Sequence, residues 1–138
     1  MGGSKMNSIN ILLKTLPDGI QSLFQSKNYD DILFYFLENS IEEIEYASTL
    51  SLIASIADTK ELHHMAGTIY HFHFNWIKNS YYLSYFHYWR ILELDNFNNL
   101  EELKEFISII DEPDYDMIED NSIDFVRDKI YALTNNKN

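Results

Sequence analysis

The sequence predicts an all-α protein, on three observations. Apolar residues recur at the three- and four-residue spacing of helices, and the two-residue alternation of strands is scarce. Only 4 glycines and 2 prolines occur in 138 residues, too few for the many tight turns of a sandwich or barrel. Ser, Asp and Asn stand just before most of the apolar runs, where their oxygens can accept from the orphan N–H groups of a helix start. About seven helices in antiparallel hairpins are expected, forming an irregular bundle or a short HEAT-like stack.

Residues 1–5, MGGSK, read as an expression remnant ahead of a start at Met6. A first helix over 8–16 stops before Pro17-Asp18-Gly19, because Pro and Gly oppose continuation. A short helix over 20–26 follows, and Asn28 caps another over 29–38. Ser40 with Glu43 has capping-box spacing and opens a helix to Ala57, and Asp58 with Glu61 repeats that logic for 58–77. Ser80 caps a helix to Asp95, and Asn98 with Glu101 starts one that ends near Ile110. Ser122 caps the last, which frays into a polar tail at 135–138. Linkers are short except at 111–121, and no low-complexity segment intervenes, so 6–134 reads as one helical domain. Starts near 40, 58, 80 and 98 give a hairpin period of about 40, which is the ground for the HEAT-like alternative.

Two segments indicate surfaces. At 100° per residue, 60–77 gathers Glu61, His64, Thr68, His71 and Asn75 in one arc and sets Leu62, Met65, Ile69, Phe72 and Trp76 opposite. Over 81–95, Tyr81, Tyr85, Tyr88 and Leu92 form one stripe and Tyr82, Phe86 and Trp89 a second. Such a helix is enclosed by neighbours or by a partner.

Charge and missing motifs exclude several chemistries. With 22 acidic against 10 basic residues the net charge is −12, a field that repels a phosphate backbone and excludes direct nucleic-acid binding. An apolar share of 46% argues against disorder. There is no cysteine, no Gly-x-Ser-x-Gly and no P-loop, so nucleophilic and phosphate chemistry lack their usual parts. The apolar windows 47–57 and 69–94 are interrupted by polar residues, which predicts no membrane span and a cytoplasmic location. Among His63, His64, His71 and His73, only His64 follows a Glu-x-x-His pattern, and His71 stands two turns away, about 10.5 Å along a helix. Solvated or core-edge histidines, with no metal, cofactor or catalytic residue, are the expectation. A helical metal-dependent enzyme using Glu61, His64 and His71 is an alternative. Asp114-x-Asp116 lacks the glycine of a calcium loop.

The feature left standing is an acidic run. Asp111, Glu112, Asp114, Asp116, Glu119, Asp120, Asp124 and Asp128 are opposed by Arg127 alone within 111–128, a sum of −7. That density exceeds what helix starts require, and its mutual repulsion opposes compaction. Tyr115 and Met117 within it suit a protein-binding surface. The candidate partner-binding residues are therefore Asp111, Glu112, Asp114, Tyr115, Asp116, Glu119, Asp120 and Asp124, with Tyr82 and Tyr85 from the aromatic centre.

A small, cysteine-free, acidic, helical chain with a Tyr-rich centre and the run DEPDYDMIED resembles the immunity proteins of bacterial polymorphic-toxin and contact-dependent inhibition systems. The resemblance implies a non-enzymatic cytoplasmic protein that binds a cognate toxin domain, often a basic nuclease, and occludes its site. A phage-encoded acidic inhibitor of the anti-CRISPR kind is the alternative among binding proteins.

Overall fold

A computed structural model of the chain describes residues 2–135, and every regular element among them is helical. In order these are α1 Gly2–Leu13, α2 Asp18–Gln25, α3 Asp30–Glu38, α4 Ile44–Ala57, α5 Lys60–Thr68, α6 Ser80–Leu94, α7 Leu100–Ile110 and α8 Asp120–Asn135. A π-helical turn, Ile69–His73, extends α5, and a 3-10 turn, Pro113–Tyr115, lies between α7 and α8. The all-α class holds, with eight α-helices among the described residues. Gly2 to Lys5, expected to be a remnant outside the fold, belong to α1. Met1 and the part of the expected tail beyond Asn135 lie outside the described residues. Among the described residues no helix is long and apolar enough to cross a membrane.

The chain forms two compact units, Met1–His87 and Tyr88–Asn138. The division falls inside α6, where no linker composition could mark it. In the first unit α1 packs on α4, α3 on α5 and α4 on α5. Those pairings are those of an irregular bundle rather than of hairpins that each touch only the next. Ile20, Ile32, Phe36, Leu50, Ile53 and Phe74 are fully enclosed in its core. In the second unit α7 packs along α8, and Tyr88, Leu92, Leu103, Phe106, Ile110 and Val126 are buried.

Several residues expected to start helices end them instead. Ser40 lies at φ 49° after α3, and the Ile41 N–H returns to the Phe36 carbonyl at 3.1 Å, so α4 begins only at Ile44 with no side-chain cap at Glu43. Asp58, at φ 57°, closes α4, and Thr59 caps α5 by accepting from the Leu62 N–H at 3.3 Å. Asn99, not Asn98, caps α7, accepting from the Glu102 N–H at 3.2 Å. Ser122 lies within α8, which starts at Asp120. The physical reason is shared: short polar side chains suit both an N-cap and a left-handed helix end. With so few glycines, Lys27, Ser40, Asp58 and Asn96 take left-handed positions at helix ends.

Ser80, also expected as a cap, is the first residue of α6, and its Oγ is buried without a hydrogen-bond partner. A buried hydroxyl left unpaired is a net cost, so Ser80→Ala should raise stability by about 1 kcal/mol in urea unfolding. A loss of stability on this substitution would show that the hydroxyl is satisfied.

The π turn corrects the expected face of 60–77. Through Ile69 the wheel holds, since Leu62, Met65 and Ile69 are buried while Glu61 and His64 face out. The Phe74 N–H then bonds the Ile69 carbonyl at 3.1 Å, five residues back. The extra residue in that turn shifts the side chains within it around the axis, and the helix stops at His73, short of the expected Ile77, so Trp76 stands on no helix face. His71, expected in solvent, is buried, whereas Phe72 and Trp76, expected in the core, are 55% and 67% exposed.

Candidate functional site

In the first unit α4 packs on α5, and both carry small residues on the faces that bear the polar side chains joined to α6. On α4 these are Ala47, Ser51 and Ala54, continued by Asp58 at its end; on α5 they are Ala66 and Gly67 beside His63; on α6 they are Ser80 and Ser84 beside His87. The spacings of three and four place each set on one helix face. His63, Ser80, Ser84 and His87 are all buried.

Across these faces runs a hydrogen-bonded chain of four side chains. His63 Nε2 is 2.7 Å from Asp58 Oδ1, His63 Nδ1 is 2.9 Å from His87 Nδ1, and His87 Nε2 is 2.6 Å from Ser51 Oγ. With both imidazoles neutral, one proton placement satisfies every contact. Asp58, a carboxylate, only accepts, so His63 donates from Nε2 and accepts at Nδ1; His87 then donates from Nδ1, and its Nε2 accepts the Ser51 hydroxyl proton. The left-handed conformation that closes α4 puts the Asp58 carboxylate at the start of this chain.

Hydroxyl to imidazole to an orienting group is also the order of a nucleophilic triad. The electrostatics oppose that use. Burial first, and the neighbouring His63 second, push His87 down to about 3, far below the range in which an imidazole is an effective base. Ser51 also lies in the middle of α4, where the surrounding backbone N–H groups are used by the helix and are not free to bind an oxyanion. The chain of bonds is a clamp between α4, α5 and α6. Sequence reading noted His63 only within the histidine group and passed over His87; the small residues three and four positions from each are the signal that could have found them.

The metal set of the alternative reading, Glu61, His64 and His71, is not assembled among the described residues. His64 is exposed with Nδ1 3.8 Å from Asp30 Oδ1, and His71 is buried and stacked on Phe72 at 4.1 Å. Among the described residues no three His, Cys, Asp or Glu side chains are grouped to hold an ion.

The acidic run behaves differently. In the second unit Asp111, Asp116, Asp120 and Asp124 line one cleft of about 410 Å³, together with Arg127. Three elements supply them: the end of α7, the segment after the 3-10 turn, and the first two turns of α8. Arg127 Nη2 stands 3.9 Å from Asp111 Oδ1, with both side chains mostly in water, so this contact offsets little of the charge. Glu112, Asp114 and Glu119 are exposed outside the cleft lining. Tyr115 lines the same cleft from within, its side chain buried at 1% exposure after the 3-10 turn. Nearby, burial and then Tyr115, Glu105 and Glu112 hold the Tyr88 phenol well above its ordinary range, so it stays protonated. Tyr82 is exposed and Tyr85 half-buried, both on the first-unit part of α6. No family model, curated protein or solved structure matches the chain.

Proposed function

We propose that the chain is a stoichiometric inhibitor of a basic protein, an immunity protein that occludes the site of a cognate toxin domain. The observation that carries this reading is the cleft in which four aspartates converge with a single, loosely paired arginine. Folding brings these carboxylates together at a cost in mutual repulsion that a cationic partner relieves. Their combined potential also accelerates encounter with such a partner.

The test is genetic and biochemical together. The product of an adjacent reading frame should be toxic when expressed alone, harmless when expressed with this chain, and bound by it one to one. Neighbouring products that are neither toxic nor bound would overturn the immunity reading. One-to-one binding to a widespread nucleic-acid-binding complex would favour the phage-inhibitor alternative, and turnover of a small substrate by the purified chain would remove both.

A further inference from the structure

We propose that an aromatic pocket in the second unit receives an arginine side chain of the partner. This rests on the basic-partner reading above and adds the residue type that anchors it. Trp89 of α6, Phe97 of the α6–α7 connection and Phe125 of α8 form the floor of an open hollow, their rings packed on one another with centroids 5.3 Å apart for Trp89–Phe97, 5.0 Å for Phe97–Phe125 and 6.2 Å for Trp89–Phe125, so a guanidinium stacks on their outer faces. Glu93, one turn after Trp89, and Asn121 and Ser122 complete a cavity of about 360 Å³.

Three observations favour a cationic, planar occupant. Phe125 is 42% exposed, and its ring already carries a cation, with Lys129 Nζ 5.5 Å from the centroid. The Glu93 carboxylate, 42% exposed, lines the hollow and pairs with the chain's own Arg90 guanidinium at 3.3 Å, a contact that an incoming arginine would share or displace. Finally, the pocket and the acidic cleft lie on opposite flanks of one helix: Asn121, Ser122 and Phe125 face one, Asp120, Asp124 and Arg127 the other. A basic segment laid over the outward side of α8, along Asp124 and Asp128, reaches both. The positive end of the α8 dipole opposes a cation near Asn121, and Asp120 and Asp124 in the first turns offset it. Arginine suits the site better than lysine, because its guanidinium is planar, weakly hydrated, stacks on rings and can pair with a carboxylate through two bonds.

The test uses Trp76→Phe protein, in which Trp89 is the remaining tryptophan, and three dye-labelled nonapeptides: nona-arginine, nona-lysine, and alternating lysine and leucine. Nona-arginine should bind about tenfold more tightly than nona-lysine and shift the Trp89 emission. Phe125→Leu, which keeps apolar volume and removes the ring, should bring nona-arginine binding down to the level of nona-lysine, and Glu93→Gln should reduce the preference. Equal, salt-dependent binding of both homopolymers with a silent Trp89 would overturn the arginine site and leave the acidic reading standing. Tightest binding of the lysine-leucine peptide would make the pocket apolar in its preference and overturn the proposal. Failure of all three to bind would defeat the basic-partner reading as well.

Discussion

Between pH 6.5 and pH 3 the protein should lose about 5 kcal/mol of stability through one imidazole, His87. The sign follows from where the proton binds. In the unfolded chain His87 takes up a proton near 6.5, whereas in the folded chain burial and His63 hold it down to about 3. Over that window the unfolded state binds more protons, so stability is full above 6.5 and is lost as the pH falls. The geometry gives the same direction. A second proton on His87 would set a buried charge beside the His63 ring, 2.9 Å away at Nδ1; the Ser51 hydroxyl can turn to accept from Nε2, so the buried charge and not a lost hydrogen bond sets the sign. Two measurements check this. Urea unfolding midpoints should fall steadily from pH 7 to pH 4, and the ring resonances of His87 should keep their neutral shifts through pH 4. A His87 titration midpoint at or above 6 would refute the buried neutral assignment.

The second large effect lies in association kinetics. Replacing Asp111, Asp116, Asp120 and Asp124 together by Asn moves the net charge from −12 to −8 by removing four carboxylates. Association with a basic partner should slow by about 10- to 100-fold at low ionic strength, and its salt dependence should flatten, because long-range attraction chiefly sets the encounter rate. Folding stability should stay within about 1 kcal/mol of the original, since relief of repulsion offsets the loss of Asp120 and Asp124 from the start of α8. An unchanged rate at low salt would move the docking surface elsewhere. A collapse of stability would mean that these carboxylates support the fold rather than a partner.

Helix boundaries show which parts of the sequence could be read. Local spacing correctly divided the chain at Pro17-Asp18-Gly19 and around 111–121. It misread Ser40 and Asp58, because one side-chain chemistry serves two backbone roles and a one-dimensional pattern does not separate an end from a start only a few residues on. The wheel over 60–77 failed beyond Ile69 because the helix widens to π geometry over Ile69–His73 and ends there, which leaves Trp76 outside it. No composition forecast that change.

The sequence alone determined the all-α class and the excess of carboxylates in 111–128, because helical periodicity is local and charge is additive along a chain. Which carboxylates share a cleft, and that Tyr115 turns inward among them, only the tertiary structure decided. The same holds for the clamp. Ser51, Asp58, His63 and His87, from three helices, are within hydrogen-bond reach only in the folded chain, and such contact depends on tertiary placement, which residue spacing within each helix does not encode.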